Sequence, residues 1–483
     1  MLLLISGLLP VLLGAALPLL RIKSRLARMI YTMLATCLTT AMVWYQILAG
    51  QGAEAFELFR FSDAFRFVLR LDGAGKVYLG LAALLWPLAV LYAIEYMCHE
   101  KREGNFFAWY TITYGAAILL GAADNLFTLY IAYELLTVCT VPLVWHERDE
   151  ASNRAALKYM LYLIGGAALG FVAMAGLSGF GIGAFQNGKA YFPDSGWFRT
   201  LCLLGFLGFG VKAAVLPLSS WLPSASVAPT PVTALLHAVA VVNAGVFAVA
   251  RLLYYVIPIG AIKGTWVHTV MLALSAATIV YGAVMAVREQ HVKRRLAWST
   301  VSNLSYMLLG LSLLTAEGMT AGLSHMVFHG LMKIILFFCA GAVTVQTART
   351  QLRQMQGLGR KMRMVFLSFT LAGVSLLGVP PLPGFVSKYA LVTAAFAEGS
   401  AWAIIGAVSL LIAAVLTAIY IFTVVYPAFF MKLNLPEGEA EPRDPGVCMK
   451  ISFVLLCALL VCAGIFAKPI MGYLTDLAGG VIS

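Results

Sequence analysis

Charge is what this sequence has least of. Only 11% of its 483 residues are charged, while 61% are hydrophobic. An ordinary soluble domain carries about a quarter charged residues, so a soluble enzyme is excluded. No polar stretch is long enough to form a nucleotide-binding lobe. Acids are scarcer than bases, 21 against 33, giving a net charge of +12. Those bases sit in loops at helix ends, which ties the charge to membrane topology and away from nucleic acid. Eight cysteines (Cys37, Cys98, Cys139, Cys202, Cys339, Cys448, Cys457 and Cys462) include no CxxC pair and lie mostly in apolar runs. That pattern argues against Fe–S or zinc ligation and for small buried hydrophobes, so no metal and no cofactor are expected. The apolar run at 1–20 lacks the preceding basic residues of a cleavable signal; its charges, Arg21, Lys23, Arg25 and Arg28, follow it.

Apolar runs of spanning length recur instead. About fourteen reach the roughly 20 residues a helix needs to cross a bilayer. They lie at 2–20, 29–49, 77–97, 106–121, 124–146, 155–178, 198–218, 230–257, 266–287, 292–314, 319–346, 364–396, 401–431 and 446–467. The expected fold is an all-α polytopic membrane protein, one membrane domain over 1–483. Placing the N-terminus outside puts loops 21–28, 98–105, 146–158, 288–295, 347–363 and 432–450 in the cytoplasm. These hold 21 of the 33 Lys and Arg residues, as the positive-inside rule requires. The contrary case is loop 50–76, with Arg60, Arg66, Arg70 and Lys76 outside. The polar stretch after Pro436, EGEAEPRDPG, precedes the last span and is assigned no chemistry.

Three lysines (Lys212, Lys333 and Lys388) and one carboxylate, Glu134, remain inside spans. A charge at the bilayer centre costs several kcal/mol, so each needs a reason. The segment FGVKAAVLPLSSWLPSASVAPTPVTALLHAVAVVNAGVFAVAR, at 209–251, organises the rest. An apolar helix carrying Lys212 is expected to run into a break at Pro217, and a second helix carrying His237 begins after Pro223, Pro229 and Pro231. Proline removes a backbone donor, and such a break survives at membrane depth only beside protein or a water-filled cavity. Lysine beside a broken helix marks a charge or substrate pathway; the competing reading is a lysine snorkelling to the interface. Lys388 follows a second break at Pro380, Pro381 and Pro383. The reversed order of lysine and prolines suggests inverted repeats. His325, His329 and Lys333, spaced by four, share one helix face and read as a proton relay. Alternatives are a structural Glu134–lysine ion pair, buried backbone-bonded histidines, and a haem held by His237 and His325.

These residues resemble the antiporter-like subunits shared by respiratory complex I, Mrp-type Na+/H+ antiporters and energy-converting membrane hydrogenases. The likeness runs from about residue 75 to 430. It is carried by WLPSASVAPTPVTALLHA (221–238), VKRRLAWSTVSNLSYMLLGL (292–311), the His325–Lys333 helix and PPLPGFVSK (380–388). The resemblance implies fourteen core helices with helices 4–8 and 9–13 as inverted repeats, helices 7 and 12 being broken; the first repeat is placed in 75–257, which also includes helix 3, and the second in 266–431. It also implies a Glu134–Lys212 pair, His237, a relay of His325, His329 and Lys333, and Lys388 at the exit. By that likeness the chain is a non-catalytic, proton- or Na+-translocating subunit of a multi-subunit inner-membrane complex, with other membrane subunits as partners.

Three positions depart from the pattern. Asn243 stands where several members have lysine. Gly165 and Gly166 stand where the larger complex I member has an acid, and the chain ends soon after its fourteenth span. Together these favour a hydrogenase, an Mrp assembly or a simpler complex I. Two other function classes are a stand-alone transporter for an organic solute and a haem-bearing quinol oxidoreductase subunit.

Overall fold

The computed structural model describes residues 1–50, 52–63, 65–185, 195–433 and 441–482. Lys189 and part of the polar loop near Pro436 therefore lie outside the described residues. Helices α1 (Leu2–Leu19) and α2 (Arg25–Leu48) lead to a hairpin of β1 (Phe56–Arg60) and β2 (Arg66–Leu69). Helices α3 (Gly73–Tyr96), α4 (Glu103–Gly121), α5 (Leu126–Val144), α6 (Glu150–Gly179) and α7 (Gly196–Gly210) follow. The first broken region contains the short α8 (Trp221–Ser224), then α9 (Thr230–Ala238) and α10 (Val241–Arg251). Beyond the short α11 (Ile259–Ile262) come α12 (Trp266–Arg288), α13 (Val292–Ser312) and α14 (Ala316–Thr347). The short α15 (Leu358–Lys361) precedes α16 (Arg363–Leu377), α17 (Pro383–Glu398), α18 (Ala401–Phe430), α19 (Val447–Ile465) and α20 (Ala467–Ile482).

Among the described residues, ten helices are long and apolar enough to cross a membrane, and helical structure occurs at every expected span. The chain is a multi-pass membrane protein. Its burial pattern is that of a bundle in lipid. Every residue of α9 and α10 is buried, as is most of α14. Peripheral helices keep apolar faces exposed, including Leu34 and Leu38 on α2 and Val415 on α18.

The breaks differ from expectation in position. Helix α7 stops at Gly210, so Lys212 lies inside the break, in a turn, and not on the helix leading to Pro217. A proline disfavours helix at the residue before it and removes a backbone donor. Ala214 takes a positive φ of 53° in the same turn. A further interruption at Val239 and Ala240 separates α9 from α10, with no proline to announce it. In the second region Pro380 and Pro381 lie in the gap between α16 and α17. Pro383 opens α17 as its first residue, where a missing N–H costs nothing.

Two elements were not expected in an all-α chain ending after its last span. The hairpin is clamped to the start of α5, where Val68 N donates to Thr128 Oγ1 at 2.8 Å and Asn125 Nδ2 to the Arg66 carbonyl at 2.9 Å. It delivers Asp72 to the start of α3, where Asp72 caps Gly75 N and pairs with the buried Arg251 at the end of α10. Phe185, Phe247 and Tyr255 surround that guanidinium within 5 Å. The second element is α20, which seats Ala467, Leu474, Ala478 and Val481 against the bundle.

Candidate ion path

Lys212 is fully buried. Its ammonium donates to the Tyr133 carbonyl and lies 3.4 Å from the centre of the Tyr133 ring. The same tyrosine's hydroxyl donates to the Phe209 carbonyl at 3.0 Å, satisfying the end of α7. Trp221 Nε1 donates to the Val211 carbonyl at 2.9 Å, and Leu216 N to Thr278 Oγ1 at 3.1 Å. Side chains thus replace the backbone bonds that the break removes, as membrane depth demands. Close approach holds the turn in place. A Cβ on Gly166 would stand 2.2 Å from Val211 Cγ1, and one on Gly245 would stand 2.5 Å from Ala213 N. The glycine at 166 therefore has a packing reason, whereas Gly165 faces open space.

Glu134 follows Tyr133 but does not form the direct ion pair expected with Lys212. Its Oε1 is buried without a hydrogen-bond partner, although the two groups remain within Coulomb range. The helical repeat explains the difference. Adjacent residues point about 100° apart on a helix, so an ammonium seated on the Tyr133 carbonyl and ring is turned away from the next side chain.

His237 occupies the last turn of α9, stacked on Phe337 with ring centroids 4.7 Å apart, and neither ring nitrogen has a protein partner. Asn243 Nδ2 donates to the Ala238 carbonyl at 2.8 Å, capping a carbonyl freed by the break. The departure from lysine at 243 therefore gives a polar cap.

His325, His329 and Lys333 are fully buried on α14. Lys333 Nζ donates to Ser299 Oγ and, at 3.1 Å, to the Leu296 carbonyl. Asn303 Nδ2 donates to the Ser299 carbonyl at 2.7 Å, so its Oδ1 faces His325 Nε2 at 3.2 Å. An acceptor there places the proton on Nε2, and Nδ1 accepts from Ser387 Oγ at 2.9 Å. The His325 and His329 rings lie 5.9 Å apart, and both nitrogens of His329 lack protein partners. Lys388, beside Ser387, donates to the Leu376 and Leu377 carbonyls at 2.7 and 3.2 Å. Those carbonyls close α16, where helical amide dipoles leave partial negative charge. Gly378, at φ 98°, ends that helix.

Hydrogen bonds thus join Lys333 to Ser299, Ser299 to Asn303, Asn303 to His325 and His325 to Ser387, while Lys388, next in sequence to Ser387, is bonded to the carbonyls that close α16. Lys212 with Glu134 forms a separate station, and His237 lies against α14, stacked on Phe337. Sequence reading missed Tyr133, Ser299, Asn303 and Ser387. Ser299 and Asn303 are four apart in an apolar helix, a signal that was available. Lys293, counted with a loop, is buried and donates to the Ala228 carbonyl at 2.8 Å. A haem between His237 and His325 does not fit. His325 has both nitrogens engaged by Ser387 and Asn303, while His237 stacks on Phe337, twelve residues along α14.

Broken helices around buried lysines, in a bundle with lipid-facing apolar sides, define an antiporter-like membrane subunit fold. Residues 123–417 match the family described as NADH:quinone oxidoreductase/Mrp antiporter, TM, and the chain belongs to that family. It is 32% identical over 459 residues to NAD(P)H-quinone oxidoreductase subunit 5 of the Paulinella chromatophora chromatophore, covering 89% of this chain and 65% of that protein. It is 30% identical over 406 residues to NADH-quinone oxidoreductase subunit L of Mycobacterium tuberculosis, covering 82% and 63%. The chain thus spans less than two thirds of the length of these relatives. In fold it resembles a chain of the archaeal membrane-bound sulfane sulfur reductase, with a TM-score of 0.87, 23% identity, and coverage of 99% and 97%. A chain of the Mrp complex from Dietzia gives a TM-score of 0.85, 20% identity, and coverage of 100% and 98%.

Proposed function

We propose that this chain is an ion-translocating subunit of a multi-subunit membrane complex, with protons the preferred ion and Na+ the alternative. The observation that carries this reading is the set of titratable side chains inside the bundle: buried Lys212, His237 and Lys388 beside the helix breaks, buried His325, His329 and Lys333 along α14, and the partly buried Glu134 on α5. Left unsatisfied, a buried polar atom costs about 1–3 kcal/mol. Bound water is the usual partner for such atoms and would join His237 and His329 to the path. Lysine and histidine can both give up and regain a proton, so each station can hold one in turn. Energy would come from a redox or ion-gradient partner, the chain itself being non-catalytic.

Residues 75–257 and 266–431 are read as the two inverted repeats, each contributing one break with a lysine beside it, Lys212 in the first and Lys388 in the second. The membrane is read as the cell inner membrane, with the N-terminus outside and the basic loops in the cytoplasm. The relatives' printed names, subunits of quinone oxidoreductases, support partner subunits of that kind. The solute-transporter reading has less support, because each buried lysine is already hydrogen-bonded within the chain: Lys212 to the Tyr133 carbonyl, Lys333 to Ser299 and the Leu296 carbonyl, and Lys388 to the Leu376 and Leu377 carbonyls. An affinity-tagged chain extracted in mild detergent should bring companion membrane subunits with it. Alone in proteoliposomes it should drive no transport; coupled solute uptake by the isolated chain would overturn the reading.

A further inference from the structure

Away from the buried lysines, α6, the linker through α8 and the start of α13 enclose a surface groove of about 500 Å3, far more than the ~30 Å3 share of one water molecule. Arg154 and Lys158 enter it from α6 and Arg294 from α13, with Glu289 as the acid among its lining residues. Its floor is Ser220, Pro223 and Ser224, from the linker that carries the chain across the first break. The acids here pair with the two arginines and leave Lys158 uncompensated. Arg154 reaches Glu150 at 3.5 Å and Arg294 reaches Glu289 at 3.2 Å, while among the described residues Lys158 meets the Tyr162 ring, at 5.9 Å, and no acid.

The surroundings of the groove say what kind of anion it suits. Three residues on from Arg154 and Lys158 respectively, Leu157 and Leu161 are 53% and 61% exposed, and Ile164 continues that stripe at 52%. Val227, on the groove wall, is 41% exposed, and Tyr281 and Val284 expose the facing side of α12. Positive charge at the end of a helix thus gives way, one turn further in, to apolar side chains open to lipid. A soluble anion would use the charge alone. A phospholipid uses both halves: its phosphate meets the cations and an acyl chain lies along Leu161 and Ile164. Basic recesses between transmembrane helices are suited to acidic headgroups for this reason.

We propose that this groove is a binding site for one anionic phospholipid, which braces the linker of the first broken helix. The site is independent of the function assigned to the buried lysines. The test uses the full chain in phosphatidylcholine nanodiscs, with phosphatidylglycerol, further phosphatidylcholine, inorganic phosphate or a polyglutamate peptide added. Native mass spectrometry and thermal melting are read together. Phosphatidylglycerol should be retained at least tenfold more than phosphatidylcholine and should raise the melting temperature, while inorganic phosphate should do neither. In R154Q/K158Q/R294Q that preference should fall to parity, with melting in phosphatidylcholine unchanged. Equal retention of the two lipids by the wild type would overturn the proposal without recourse to a variant. So would full stabilisation by inorganic phosphate, or an undiminished preference in the triple variant. If the triple variant folds poorly, the exposed single change R294Q replaces it, and an unaltered preference there counts against the site. Preference for an acidic peptide over phosphatidylglycerol would identify a protein partner and also overturn it.

Discussion

At the scale of single residues, the chemistry rests on side chains that hold a proton in a place where water is scarce. His329 is the clearest case, since no protein group engages either ring nitrogen. Glutamine is close in size and can hydrogen-bond, but it cannot pass on a proton near neutral pH. His329→Gln should therefore slow translocation by about 10² or more, while the melting temperature stays within about 2 °C of wild type. Rate and melting point measured on the same purified complex decide it. An unchanged rate would leave the path to Lys333 and Lys388 alone.

Two histidines outside the spans act on stability instead. Burial, with Arg102 and Arg148 nearby, pushes His146 down to about 4. Burial, with Lys293 and Arg294 beside it, pushes His291 to about 4. A histidine held neutral in the fold but free to charge when unfolded, near pH 6.5, stabilises fully above that pH. The contribution is lost as pH falls from about 6.5 toward about 4. The thermal stability of wild type should decline over that window, and H146Q should flatten part of the decline.

Among elements, the breaks are held by close packing as much as by proline. A Cβ on Gly384, at the start of α17, would fall 1.8 Å from the Ser375 carbonyl oxygen. G384A should cost about 1–3 kcal/mol or more, since backbone would have to move. G165A meets nothing within 4 Å and should be neutral or gain up to about 1 kcal/mol. The pair of melting temperatures checks this, and equal losses at both positions would show that packing at the break is not the cause.

The contrast also marks what the sequence made legible. Pro380 and Pro381 announced the second break because proline acts on its own backbone. The interruption at Val239 and Ala240 was not announced, because the close pass of α14 is a tertiary effect and the local Asn243 cap on Ala238 looks in sequence like any single asparagine in an apolar run. The same holds for Lys212, whose charge was plain but whose partner, a carbonyl at Tyr133, is set by how α5 meets the turn. Lys293 was misread for the opposite reason: a basic residue at a helix start looks like a loop charge until the linker folds over it.

At the scale of the whole molecule, hydropathy placed the helices well, because each must satisfy its own backbone in lipid. The hairpin and α20 escaped notice, being short or amphipathic segments at the bundle surface. Sidedness rests on loop charge. Cysteines replacing Arg25 and Arg360 should be labelled from the cytoplasm and one replacing Lys189 from outside; labelling of all three from one side would contradict the topology.

The central claim is that a buried lysine exchanging its proton at the first break is required for ion movement. The most direct measurement is the initial rate of driven proton uptake by inside-out vesicles bearing the assembled complex, compared for wild type, Lys212→Ala and Lys212→Arg. Alanine removes the proton carrier, and arginine keeps the charge but does not deprotonate in proteins. Both variants should assemble to wild-type amounts and lose uptake by about 10². Wild-type uptake by both would contradict the account.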